Sequence, residues 1–249
     1  MFNAAVRVLR IATAHGTKRG RSATSLLHLT PEEWVREVQF ARMRGIDFGS
    51  GHDKHAEHRL RQLQDVLVYP YHQGQWWELN VWNPQLDSRI PQREHEPQGR
   101  SVLNFSHLTS AWLREGAKLW LSASLANGTM TWNSLRSRLD NLKWLQRHLD
   151  QRGDEGPCLT NDPHQLRPFM RSFCEMLLTH RISKGQRNAG QLLGMNPRRQ
   201  IMVGIEQFYQ WMYDHRVEAA ARHTEWATLR AEHCVLFRPE DNPRLTTST

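Results

Sequence analysis

The sequence predicts a mainly α protein: a four-helix bundle preceded by a small α+β N-terminal region. Three observations carry that expectation. Between residues 109 and 216, four segments repeat apolar residues at three- and four-residue steps, the spacing of one buried helical stripe. Upstream, "DVLVYPYHQGQWWELNVWNP" is aromatic and β-branched, with Trp77, Leu79 and Val81 alternating against Glu78 and Asn80, a strand-like texture. Between the two, "SRIPQREHEPQGR" (residues 88–100) is polar and punctuated by Pro and Gly, as a linker would be.

Taken in order, residues 1–28 read as a basic flexible arm. No acid occurs before Pro31, while Arg7, Arg10, Lys18, Arg19 and Arg21 are basic. The arm mimics an organelle transit peptide, but the plainer reading is a basic lead-in to the first folded element. Residues 29–100 form the N-terminal region and linker. Its first helix, residues 29–45, opens with Thr30 as N-cap, Pro31 at the first position and Glu33 at the third, and Gly45 supplies the stop. A second helix over 53–67 places Leu60, Leu63 and Leu67 on one side. The aromatic stretch follows as a strand pair, or as a strand with an extended arm.

Residues 101–216 are the bundle. Its first helix (109–126) puts Trp112, Gly116, Leu119, Trp120 and Ala123 on one face and ends at Gly128. The second, within 131–153, buries Trp132, Leu135, Leu139, Leu142, Leu145 and Leu149 and is capped by Thr129 or Thr131. The third turns Leu166, Phe169, Phe173 and Leu177 inward, with a restart at Pro168 because proline is costly inside a helix. In the fourth, Asn196 is the expected N-cap, Pro197 the first residue, and Ile201, Ile205, Phe208 and Met212 the buried row. Residues 217–249 then read as one further helix, over 217–234, and a Pro-rich linker.

Charge narrows the function. Lys and Arg number 33 against 25 Asp and Glu, a net +8 with pI about 9.9, which favours polyanionic partners. Residues 101–216 alone hold fifteen Lys/Arg and nine Asp/Glu. Two one-signed groups stand out. The outer face of the second helix carries Arg136, Lys143 and Arg147, with Asp140 the only acid among them. The connection between the third and fourth helices, "HRISKGQRNAGQLLGMNPRRQ", carries Arg181, Lys184, Arg187, Arg198 and Arg199 without an acid. Small and amide residues interleaved there would let a phosphate backbone approach closely. Arg198 and Arg199 also sit at a helix start, where backbone N–H groups favour anions. The competing explanation is that both groups are ordinary solvated faces.

Other motifs are silent. His52, Asp53, His55, Glu57 and His58 cluster at spacings that could share a metal, but 14 histidines scatter along the chain and no general base accompanies them. No metal or cofactor is expected. Trp76, Trp77 and Trp82 read as core rather than as a base-stacking platform. Three cysteines, Cys158, Cys174 and Cys234, show no Cys-x-x-Cys spacing and suit a reducing cytoplasm. No P-loop, dinucleotide fingerprint or nucleophile elbow occurs, and no apolar run is long enough to span a bilayer.

"LNFSHLTSAWLREGAKLW" (residues 103–120), preceded by Trp77, Leu79 and Val81 as W-x-L-x-V, resembles the tyrosine recombinase (phage integrase) family, in particular large bacterial site-specific integrases. The likeness rests on Leu103, Phe105, Trp112, Leu113, Arg114, Glu115, Lys118 and Trp120, extends through the next three helices and covers roughly residues 75–245. It implies a SAM-like core-binding bundle that forms half of a clamp around double-stranded DNA, with the second and fourth helices facing the duplex. Carried onto this sequence, the DNA-facing residues are Arg136, Lys143, Arg147, Arg198 and Arg199, joined by Lys184 and Arg187 from the connection. The resemblance also implies other recombinase protomers, or a separate catalytic subunit, as partners. The family's Arg, His-x-x-Arg and nucleophilic Tyr belong to a later domain. "HRLR" (58–61) and "HQLR" (164–167) match the His-x-x-Arg spelling outside that setting, and Tyr69, Tyr71, Tyr209 and Tyr213 read as packing residues. The expectation is therefore a DNA-binding module without its own strand-cleaving chemistry: a fragment, a truncated reading frame or a stand-alone accessory protein. A helical protein-interaction adaptor is the rival expectation.

Overall fold

The computed structural model describes residues 33, 34, 36, 64, 67–69, 72–93, 102–152, 162–182 and 189–239. The basic arm, the Thr30–Pro31 helix start, the His52–His58 cluster, Lys184, Arg187 and the tail beyond residue 239 lie outside them. The chain divides into two compact units, Met1–Trp76 with Gln85–Asp87, and Trp77–Pro84 with Ser88–Thr249. In the first, Glu33, Trp34 and Arg36 are helical and Trp34 is buried, and Gln64, Leu67 and Val68 are helical as well.

The second unit is mainly helical. It includes the aromatic stretch from Trp77 and the start of the expected linker. Its strands are β1 (Val81–Trp82) and β2 (Leu103–Asn104), an antiparallel pair in the register Val81↔Asn104 and Trp82↔Leu103. The alternation at 77–81 does not make a longer strand, because Trp76–Glu78 is a 3-10 turn. The carbonyls there are taken by side chains instead of a ladder. Trp82 Nε1 donates to the Leu79 oxygen (3.0 Å), and Lys118 Nζ donates to the Glu78 oxygen (2.9 Å). The linker reading also needs correction at its start. Ile90 is buried, Gln92 donates to the Pro84 carbonyl, and Arg93 donates to the carbonyl of Gly128.

Helix α1 (Ala111–Ala126) is buried almost all round rather than along one stripe: Leu113, Ala117, Leu121 and Leu125 are covered as well as Trp112, Leu119 and Trp120. A helix wrapped on every side is the centre of a bundle, not its surface. Gly116 shows why. A Cβ there would meet Trp226, Met212 and Phe208 side chains at 3.0–3.1 Å, so any larger residue would require these neighbours to give way by a few tenths of an ångström.

Helix α2 (Trp132–Arg152) follows its sequence stripe, with all six expected apolar residues buried. Thr131 caps it, its Oγ1 accepting from the Ser134 N–H at 3.2 Å. Helix α3 (Pro163–Thr179) is capped by Asp162 and runs unbroken through Pro168. The restart is unnecessary because Pro168 and His164, whose carbonyl loses its helical partner, both face solvent. Helix α4 (Met195–Asp214) starts earlier than expected, with Gly194 at the N-cap and no side-chain cap. Pro197 is then its third residue, still within the first turn where N–H groups have no helical acceptor.

The predicted helix over 217–234 is three short pieces: α5 (Arg216–Arg222), a 3-10 turn (Thr224–Thr228) and α6 (Ala231–Val235). The breaks deliver Trp226 inward, 1% exposed, with its ring 5.6 Å from those of Trp112 and Phe208. Phe237, expected in a linker, is fully buried and stacks on Tyr209 at 5.1 Å. No described helix is long and apolar enough to cross a membrane.

Candidate nucleic-acid interface

Helices α2 and α4 pack closely where Asn141 meets Gly204, and Asn141 Nδ2 donates to the Gln200 carbonyl at 3.1 Å. Beside this crossing lies a groove of about 680 Å³. The α2 side contributes Asn133, Ser134, Ser137, Arg138 and Asn141; the α4 side contributes Asn196, Arg199, Gln200 and Val203. The lining holds two arginines, several amides and hydroxyls, and no carboxylate. It is a surface of hydrogen-bond donors and positive charge.

The basic residues expected from the sequence fall into three groups. Arg136 and Arg147 are exposed on α2, and Lys143 is half-exposed between them. At about 100° per residue the three share one face, and the groove-lining Ser137 lies roughly 100° further round the helix. None of the three lines the groove. Lys143 is paired with Asp140 at 2.9 Å, and the Arg147 guanidinium sits 4.4 Å over the Trp144 ring. Arg136 has no such contact among the described residues.

The Arg198–Arg199 pair separates. Arg198 is buried and turns its Nε back toward the Gly194 carbonyl (3.4 Å), whereas Arg199 is exposed and lines the groove. Asn196, expected as the cap, lines the groove too, because Gly194 holds the cap position. Arg181 closes the base of the connection, donating Nη1 to the Gly190 carbonyl at 2.8 Å.

Arg138 is the residue that sequence reasoning missed. It sits at the edge of the apolar stripe and lines both the groove and an adjoining cleft of about 440 Å³ with Trp120, Met130, Gln210, Trp211 and Asp214. A signal was available: Ser134, Ser137 and Asn141 run beside it at one-turn spacing, a small polar seam between the apolar stripe and the basic face.

The residues that carry the sequence resemblance in α1 are structural fasteners. Lys118, almost wholly buried, donates to the Glu78 carbonyl and to Asn80 Oδ1 (3.2 Å) and pairs with Glu115 at 2.9 Å. Burial lowers its pKa and Glu115 offsets part of the effect. Arg114 donates to the Leu108 carbonyl at 3.2 Å and pairs with Glu115. Tyr209 is fully buried, and His164 and Arg167 are exposed on the first turns of α3. Comparison with models of known families, with curated proteins and with solved structures returns no match.

Proposed function

We propose that this chain is a cytoplasmic module that binds double-stranded DNA through α2 and α4, like the SAM-like core-binding bundle of tyrosine recombinases, and has no strand-cleaving chemistry of its own. One observation carries the reading. The groove between these two helices is lined by arginines and amides without a carboxylate, and α2 carries the exposed Arg136 and Arg147 besides. Such a surface attracts a polyanion and offers it directional donors, which a merely soluble face has no need to provide. The first turn of α4 has no side-chain cap, which leaves the N–H groups of Met195 and Asn196 without a helical acceptor at an end that favours anions. In this reading Arg136, Arg147 and Arg199 meet phosphate, Lys143 does so at the expense of its pairing with Asp140, and Arg198 positions the start of α4.

A protein-interaction adaptor is the second reading. It is favoured by the internal engagement of Lys143, Arg147 and Arg198, which leaves fewer cations free than the sequence shows.

Fluorescence anisotropy with a labelled duplex separates the two. DNA binding that neutralises about four to six phosphates gives a log–log salt slope of roughly −4 to −5. Affinity independent of salt, or no binding at low salt, favours the adaptor. A covalent protein–DNA adduct on a nicked suicide substrate would overturn the absence of strand-cleaving chemistry.

A further inference from the structure

We propose that Arg138 and Arg199 form an oxyanion seat in the groove between α2 and α4, and that the oxyanion is a phosphodiester of bound duplex. The source of the oxyanion rests on the DNA reading above; the seat itself rests on the environment of Arg138.

Arg138 is half-buried in the wall between two clefts. A guanidinium does not give up its proton in proteins, so burial leaves it charged and short of water. Arginines in that position are ordinarily matched by a carboxylate or by carbonyl oxygens. The other described arginines of α1, α3 and α4 with reduced exposure follow this rule: Arg114 has Glu115 and the Leu108 carbonyl, and Arg198 has the Gly194 carbonyl. Arg138 has no hydrogen bond, ion pair or ring contact among the described residues. Its pKa is lowered by burial alone, with no neighbouring charge or hydrogen bond raising it. The one carboxylate bordering either cleft, Asp214, accepts from Gln210 Nε2 at 3.0 Å.

The groove supplies what an oxyanion requires. Arg199 brings a second positive charge, and Asn133, Asn196 and Gln200 carry amide N–H groups. Asn141 commits one of its two amide N–H groups to the Gln200 carbonyl, which fixes its carboxamide at the wall of the seat. A planar guanidinium matches two oxygens of a phosphate, a geometry that an ammonium does not reproduce.

The test uses the full chain with Arg138→Gln and Arg138→Lys, read by duplex anisotropy across salt and by thermal unfolding with and without inorganic phosphate. Arg138→Gln is expected to weaken duplex binding about ten- to hundredfold and to flatten the salt slope by about one unit. It is also expected to raise the unfolding temperature or leave it unchanged, because an uncompensated charge is removed. A structural arginine would behave in the opposite way, so a lower unfolding temperature with unchanged duplex affinity and slope overturns the proposal. Should Arg138→Gln fail to fold, Arg138→Lys decides: it keeps the charge without the fork, and an affinity equal to wild type overturns the seat. If wild type binds no duplex, the DNA reading falls by itself. The seat then stands on phosphate raising the unfolding temperature of wild type but not of Arg138→Gln, and it falls if phosphate moves neither.

Discussion

Asn141 rests directly on Gly204, so that any side chain at position 204 would overlap its carboxamide, while its amide is held by the carbonyl of Gln200. The crossing of α2 over α4 is therefore set by one polar side chain against one missing side chain. Gly204→Ala is expected to cost about 1–3 kcal/mol by forcing the helices apart. The double change Gly204→Ala/Asn141→Ala should recover part of that loss, because the two positions share one space. Chemical denaturation measures both. A single variant as stable as wild type would mean that the helices are not in this register.

Lys118 makes a second prediction. It holds the Glu78 carbonyl and Asn80 while pairing with Glu115, so it ties α1 to the turn before β1. Lys118→Met keeps the apolar stem and removes every hydrogen bond. It should cost about 2–3 kcal/mol, since buried acceptors are left without donors. An unchanged urea midpoint would show that the clasp is dispensable.

His148 predicts acid sensitivity. The Ser172 hydroxyl donates to the Phe169 carbonyl (2.8 Å), so His148 Nε2 must donate to the Ser172 oxygen (3.0 Å). Nδ1 is then a bare, buried nitrogen without a partner among the described residues, flanked by the Phe169 and Phe173 rings. Burial, with Arg152 adding to it, holds the pKa below the ordinary histidine value. Between the lowered folded value and about 6.5 the unfolded chain binds a proton that the folded chain does not, so stability rises with pH through that window. Acidifying below about pH 6.5 should lower the unfolding temperature, and His148→Gln should reduce that dependence. Equal pH profiles for the two proteins would refute the assignment.

Cys174 and Cys234 are buried, and their thiols are pushed up to about 11, chiefly by burial. Thiolate is the reactive form, so neither should react with a disulfide reagent in the native protein at pH 8. Both should become reactive in denaturant. Fast native labelling at either position, located by peptide mapping, would contradict the packing.

The two faces of α2 make a fifth prediction. The Arg136→Ala/Lys143→Ala/Arg147→Ala triple should change stability little, since exposed ion pairs contribute about 0–1 kcal/mol. Trp132→Ala on the buried side should cost about 3–5 kcal/mol. Thermal unfolding of the two proteins side by side tests whether the faces are assigned correctly.

The contrast also shows where sequence is informative. The α2 stripe was legible because each apolar residue recurs in step with the helix, and all six are buried. The surroundings of α1 were not, because its nearly complete burial depends on partners as distant in sequence as Trp226. Residues 217–234 read as one helix, yet the chain breaks there to carry Trp226 inward, and packing outweighs local preference. In the site, charge picked out exposed cations such as Arg136 and Arg199. It could not separate Arg199 from Arg198, because one position along a helix decides which faces the groove. Arg138 escaped notice for a related reason: a cation beside an apolar stripe looks like trimming until the neighbouring helix is in place.

The inward turn of Trp226 has a consequence for the chain during its synthesis. Trp112 leaves the ribosome roughly 6–23 s before Trp226 at about 5–20 residues per second. Throughout that interval α1, buried on nearly every side in the finished fold, has neither Trp226 nor the Phe237 stack to close the core around it. The nascent chain must therefore hold an unfinished interior open until residues 226–237 emerge, and it is then that it most needs protection from its own kind.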